Sequence, residues 1–212
     1  EVNKQNPAAL EKGLVNLERH VENVTKVYAI PCVVSINRFN FDTPAELEML
    51  NARMKKLGAP VVLATHWGDG GKGAAELAKI VVGLCDQPSK PTLVYEDSDT
   101  LWDKINKIAK KVYRAADVTA DAKVRAQIKR LQDDGYGHYP VCVAKTQASI
   151  TTDASVRGAP SDHVVNVREI RLAAGAEFVV MICGDIMTMP GLPKVPSAEK
   201  IDLVDGKVVG LF

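Results

Sequence analysis

Residues 64–79 read ATHWGDGGKGAAELAK: four glycines and a lysine follow a tryptophan, between an apolar run and a helix-forming stretch. Glycine and lysine so spaced are the raw material of a phosphate cradle. A P-loop, G-x-x-x-x-G-K-[ST], uses glycines to bring backbone N–H groups against phosphate, lysine to reach the terminal phosphates and a hydroxyl to hold magnesium. Gly71 and Lys72 supply the G-K pair, but Gly73 stands in place of the hydroxyl and His66 in place of the leading glycine. Residues 68–73, GDGGKG, also fit the letters of the dinucleotide fingerprint G-x-G-x-x-G. That motif needs an acidic strand end about 20 residues on to hold a ribose, and the segment around Asp97 offers none. A turn before a helix remains, either plain or with helix N-terminal N–H groups facing an anion.

The second candidate chemistry is aromatic. Residues 31–37 (PCVVSIN) and 61–64 (VVLA) read as buried strands, one running into Asn37-Arg38-Phe39 and the other into Thr65-His66-Trp67. Each places an aromatic just past a strand's carboxyl end. Neighbouring strands lie ~4.8 Å apart and next-but-one strands about twice that. A flat ring held between two aromatic faces needs them roughly 7 Å apart, within that range. Phe39 and Trp67 therefore suit a sandwich around a flat heterocycle; on periodicity alone, capping the sheet edge or covering the core is the commoner role.

The elements that must position these residues follow an alternating order. Asn6-Pro7 caps a helix carrying Leu10, Leu14, Leu17, Val21 and Val24 at helical spacing. Thr43-Pro44-Ala45-Glu46 is a capping box opening a helix that should stop at Gly58. A helix over about 73–82, a short strand at 92–95 and a helix capped by Ser98, with Leu101, Ile105, Ile108 and Val112, complete the pattern. Strand and helix in alternation predict an α/β fold, a parallel sheet with helices on both faces, whose ligands bind beyond the strands' carboxyl ends. After Arg114 the pattern changes: a helix at about 120–133, a strand at 139–145, and strands at 164–172 and 177–183 close enough for an antiparallel hairpin. The chain thus divides into an α/β domain, 1–115, and a smaller α+β domain, 116–212, with an extended loop from Gly184 onward.

Bulk properties narrow the class. The 212 residues are 46% hydrophobic with a net charge of +1, so nothing argues for nucleic acid or an acidic membrane, and no run suits a membrane span. Cys32, Cys85, Cys142 and Cys183 sit far apart in apolar runs without C-x-x-C, which reads as buried reduced thiols in a cytoplasmic protein and no metal site. There is no secretory leader, and a start at Glu1 reads as a piece of a longer protein.

Five stretches carry a resemblance. VSINRF, ATHWGDGGKGAAELA, YPVCVAKTQAS, VREIRLAAGAEFVV and GDIMTMPGLPKVPSAEKIDL with terminal GLF resemble the formate–tetrahydrofolate ligase (10-formyltetrahydrofolate synthetase) family in its single-function bacterial form. The resemblance implies an enzyme that joins formate, ATP and tetrahydrofolate through formyl phosphate, with Mg2+ and a monovalent cation, usually as a homotetramer. The family's P-loop lies in a large N-terminal domain that nothing here matches. The resemblance therefore implies the C-terminal portion only, with no turnover alone, no catalytic residue and no tightly bound ATP. It also implies that Phe39 and Trp67 stack on the folate pterin. Leu63 is expected to line the same pocket, His66 to edge it, and Asp42 and Asp69 to reach pterin nitrogens, surface turn aspartates being the plainer alternative.

Other residues read as structural. His20 sits on a solvated helix, and His138 and His163 suit satisfied structural roles. Lys104, Lys107, Lys110, Lys111 and Arg114 form a basic helical face that could attract a polyglutamate tail but suits plain solvation. Met187-Thr188-Met189-Pro190 reads as structural, and Lys145, Thr146 and Gln147 carry no evident role. Two further readings stay open: a non-catalytic α/β binding or interaction module, and a nucleotide-binding enzyme using residues 68–73.

Overall fold

The computed structural model describes residues 4–186, 194–205 and 207–210. The chain opens with α1 (Pro7–Glu22), which widens into a π turn (Asn23–Val27), then β1 (Val34–Asn37), α2 (Pro44–Lys56) and β2 (Val61–Ala64). A short α3 (His66–Asp69) and a 3-10 turn (Gly70–Ala74) lead into α4 (Ala75–Cys85). Next come α5 (Leu101–Lys111), β3 (Asp117–Ala120), α6 (Ala122–Asp133), β4 (Val141–Ala144), β5 (Val164–Ala173) and β6 (Phe178–Cys183). The last described elements are β7 (Asp202–Val204) and β8 (Lys207–Val209).

Local chemistry sets the helix ends. Asn6 Oδ1 accepts from the Ala9 N–H at 3.0 Å, with Pro7 in the first turn of α1. At α2 the capping box is complete: Thr43 Oγ1 accepts from Glu46 N–H, and Glu46 Oε2 accepts from Thr43 N–H. Glu46 Oε1 also accepts from the Asn6 N–H at 2.8 Å, tying the two helix starts together. Gly58, at φ +72°, supplies the left-handed turn after α2. The cap of α5 is Thr100 rather than Ser98, because Thr100 reaches the Asp103 N–H.

The β1–β2 pair is parallel, in register from Val34 opposite Val61 to Asn37 opposite Ala64. Val21, Met54 and Ala59 form a small core beside it, joined by Leu17, Leu50 and Val61. The expected third strand at 92–95 is not one. Its Thr92 N–H binds the Tyr28 carbonyl and its Val94 carbonyl accepts from Lys111 Nζ, so these groups serve a loop and a lysine instead of a ladder.

The larger sheet has the order β3-β5-β6-β4: β5 and β6 form the expected antiparallel hairpin, and β3 and β4 pair parallel on either side. Along β5, Val165 and Val167 are buried and then Ile170; the register shifts between Val167 and Glu169, which moves the inward face by one residue. β3 was missed by the sequence pattern because its DVTA buries only Val118 fully. Leu101, Ile105 and Ala109 of α5 and Val124 and Ile128 of α6 close the core over this sheet. The expected extended tail contains an antiparallel β7–β8 hairpin; residues 187–190 lie outside the described residues. No helix among the described residues is long and apolar enough to cross a membrane.

Candidate functional site

Parallel pairing of β1 and β2 brings the two aromatic turns to one edge. Asn37 and Ala64 are register partners, so Phe39 follows two residues past one strand end and Trp67 three past the other. Arg38 N–H still binds the Ala64 carbonyl at 3.1 Å, holding the two exits together. Beyond that point the Phe39 N–H donates to Asp42 Oδ2 at 2.7 Å, and the Asp42 N–H donates back to the Phe39 carbonyl at 3.1 Å. Asp42 therefore fixes the turn that presents Phe39. Phe41 stacks on Phe39 with ring centroids 5.6 Å apart and planes 15° apart. Sequence reading missed this partner, although the Phe39-Asn40-Phe41 spacing was its only available signal.

Trp67 is 86% exposed, Phe39 54% and Leu63 39%. These values speak against core packing for the tryptophan. The loop that carries it folds on itself: Thr65 N–H donates to the Gly73 carbonyl at 3.1 Å, while Gly68 and Asp69 N–H groups donate to the Thr65 carbonyl. A Cβ at Gly73 would sit 2.5 Å from His66 N and Thr65 C, so only glycine allows this closure. Lys72 and the glycines before it lie in a 3-10 turn, and α4 begins only at Ala75, beyond them. The turn lacks the P-loop spelling, and its glycines lie in the 3-10 turn that runs directly into α4. His66 and Asp69 are exposed on this same loop. Among the described residues no group of His, Cys, Asp or Glu could hold a metal ion.

The structure redistributes the other candidates. The basic face of α5 is largely tied down rather than solvated: Lys104 is fully buried, Lys107 pairs with Asp99 at 2.5 Å and Lys111 reaches the Val94 carbonyl. Of the four cysteines, all free, Cys183 alone is buried, while Cys85 and Cys142 are exposed. Burial pushes the Cys183 thiol up to about 12, leaving it protonated and inert.

The two structural histidines differ. His138 Nδ1 lies 2.9 Å from the Gly135 carbonyl, a satisfied contact. His163 has both ring nitrogens buried without a partner among the described residues, against the satisfied role expected for it. Burial, then the charges of Lys145 and Arg19, hold its pKa below the ordinary histidine value, with Asp162 opposing. The unfolded chain takes up this proton below about pH 6.5 while the folded one resists it. His163 therefore erodes stability as pH falls through about 6.5 toward its lowered folded value. His163→Gln should flatten the fall in urea midpoint between pH 7 and pH 5; an unaltered slope would assign that fall to other groups.

Residues 1–212 match the protein-family model described as formate–tetrahydrofolate ligase. The chain is 61% identical to the formate–tetrahydrofolate ligase of Methylibium petroleiphilum, covering 100% of this chain and 39% of that protein. It is 57% identical to that of Methylococcus capsulatus and 54% identical to that of Methylobacillus flagellatus, again over 100% of this chain and 38% of each relative. It thus spans less than two fifths of the relatives' length. With a family match along its whole length, the chain belongs to the formate–tetrahydrofolate ligase family.

Proposed function

We propose that this chain is the folate-ring-binding part, C-terminal to the phosphate-binding part, of an ATP-dependent ligase that joins formate to tetrahydrofolate to give 10-formyltetrahydrofolate. The observation that carries the reading is the pair Phe39 and Trp67, both exposed and both just past the ends of two hydrogen-bonded parallel strands. Exposed aromatics at such a crevice are available to a flat ligand, and ligands of open α/β sheets bind there. With Phe41 behind it, Phe39 keeps one face for the pterin and Trp67 supplies the other. Leu63 lines the apolar side; His66 and Asp69 lie on the loop that carries Trp67, positioned to edge the ring.

The proposed division of labour rests on the missing P-loop spelling at residues 68–73. ATP, Mg2+ and the monovalent cation belong to the part of the ligase that carries the P-loop, and this chain orients the nucleophilic folate toward it. The apolar helix α4 supports an assembly role in a cytoplasmic homo-oligomer: among its residues none is buried, and Val81 and Val82 are 42% and 62% exposed.

A tetrahydrofolate complex of the full-length enzyme tests the reading. The pterin should lie between Phe39 and Trp67; a ring seated elsewhere overturns it, and absence of any folate binding favours a non-catalytic module. In parallel, the 212-residue chain titrated with ATP and magnesium should show no tight binding. Micromolar affinity abolished by Lys72→Ala would make residues 68–73 a nucleotide site after all.

A further inference from the structure

The turn after β1 carries an aromatic where turns rarely have one. The Asp42 N–H donates to the Phe39 carbonyl at 3.1 Å, so residues 39–42 form a β-turn with Asn40 and Phe41 in its middle. Those positions favour Gly, Pro, Asn, Asp and Ser, which reach the turn's dihedrals or bond its backbone. Asn40 conforms to that preference and Phe41 does not. Its side chain is 40% exposed, so core burial alone does not account for it.

The surroundings of Phe41 supply another reason. On one side it meets Phe39 in a near-parallel stack, an arrangement that aromatic pairs favour when offset. On the protein side it shares a cavity of about 180 Å³ with Leu10 of α1, Ile36 of β1, and Leu47 and Leu50 of α2. Phe41 thus links this apolar surface to the Phe39 ring. Asp42 fixes the backbone of the turn through the Phe39 N–H. A fixed backbone still leaves a side chain its staggered rotamers. Selecting one of them, and with it the plane of the ring, falls to the stack on Phe41.

We propose that Phe41 is a positioning residue for the folate ring: it sets the rotamer and plane of Phe39 before the ligand arrives and touches no ligand itself. This rests on the Phe39–Trp67 reading above and adds the residue that preforms one wall of the slot. The ordering of an exposed aromatic is then completed in folding rather than in binding, which raises affinity. Such preorganisation acts on the bound ground state and the transition state alike. It therefore shows in the affinity for tetrahydrofolate and leaves turnover at saturation unchanged.

The test is made in the full-length enzyme with Phe41→Leu, which keeps an apolar contact with the cavity but loses the flat face, and Phe41→Tyr, which keeps the ring. Phe41→Leu should raise both Kd and KM for tetrahydrofolate about fivefold. Its kcat, its KM for ATP and formate and its melting temperature should stay close to the parent's, and Phe41→Tyr should bind like the parent. In a Phe39→Ala background Phe41→Leu should weaken binding no further, because no ring remains to be held. Parent-like affinity in Phe41→Leu, a loss in Phe41→Tyr equal to that in Phe41→Leu, or the same loss with and without the Phe39 ring would each overturn the assignment. A fall in kcat together with a rise in every KM would also overturn it, by returning Phe41 to general packing. Phe39→Ala alone separates the two failures. If it weakens folate binding while Phe41→Leu does not, the folate reading stands and the positioning role falls; if it binds like the parent, both fall.

Discussion

Trp67→Ala in the full-length enzyme should weaken tetrahydrofolate binding by roughly a hundredfold while leaving the melting temperature in place. Face contact contributes about 1 kcal/mol beyond burial, and covering a large apolar side chain about 2 kcal/mol more. The sum, ~3 kcal/mol, is slightly over two decades in dissociation constant. The side chain is 86% exposed in the free chain, so its removal takes almost nothing from the folded state; surface changes of this kind stay within about 0.5 kcal/mol. Trp67→Phe keeps a face to stack on and should lose far less affinity. Phe39→Ala should resemble Trp67→Ala in affinity, because the Asp42 bond that shapes its turn is to backbone N–H and survives truncation. Calorimetric titration and thermal melting on the same samples read both quantities. Unchanged tetrahydrofolate affinity in Trp67→Ala would end the sandwich, and a large loss of stability would return the tryptophan to a packing role.

That expectation rests on features with a strong local signature. Thr43 and Glu46 form their box from side chains three residues apart, and β1 and β2 are short apolar runs with nothing competing for them. The aromatics at their exits were legible for the same reason: a strand end followed by a turn fixes position within two or three residues. The segment 92–95 looked equally strand-like, but whether an apolar run joins a ladder depends on which backbone is waiting beside it. There the partners are Tyr28 and the Lys111 ammonium, 64 and 17 residues from the groups they meet. Phe41, Asn23 and Lys145 were illegible for a related reason. What sets them apart is a ring stack, an oxygen without a partner among the described residues and a lysine held over the Tyr113 ring, all of which arise only from tertiary placement.

Lys104 is the sharpest departure from sequence expectation and the site of the largest expected loss of stability. Charge runs on helices usually face water, yet Leu101, Lys104 and Ile105 share the buried side of α5. The lysine is admitted because its Nζ donates to the Gly137 carbonyl at 2.8 Å and the Tyr139 carbonyl at 3.0 Å, and lies 5.5 Å from the Tyr95 ring centre. These contacts pin the 3-10 turn (Tyr136–His138) that leads into β4 against the helix. Lys104→Met retains most of the aliphatic volume but strands the buried Gly137 carbonyl and the part-buried Tyr139 carbonyl, at about 1–3 kcal/mol for each such group, the partly wet one at the low end. Relief from burying a charge offsets part of this, leaving a net loss of about 3 kcal/mol, or a melting temperature lower by roughly 6–12 °C in a chain of this size. A pH signature separates this from simple misfit. Burial lowers the pKa of Lys104 below the ordinary lysine value, with Asp97 and Asp99 opposing. The folded state therefore sheds this proton before the unfolded state does, and stability gains from this group as pH rises through the lowered value toward about 10.4. The parent chain should show that gain relative to Lys104→Met. Equal stability of the two chains at pH 7, together with parallel pH profiles, would mean that the buried ammonium neither holds the turn nor senses its surroundings.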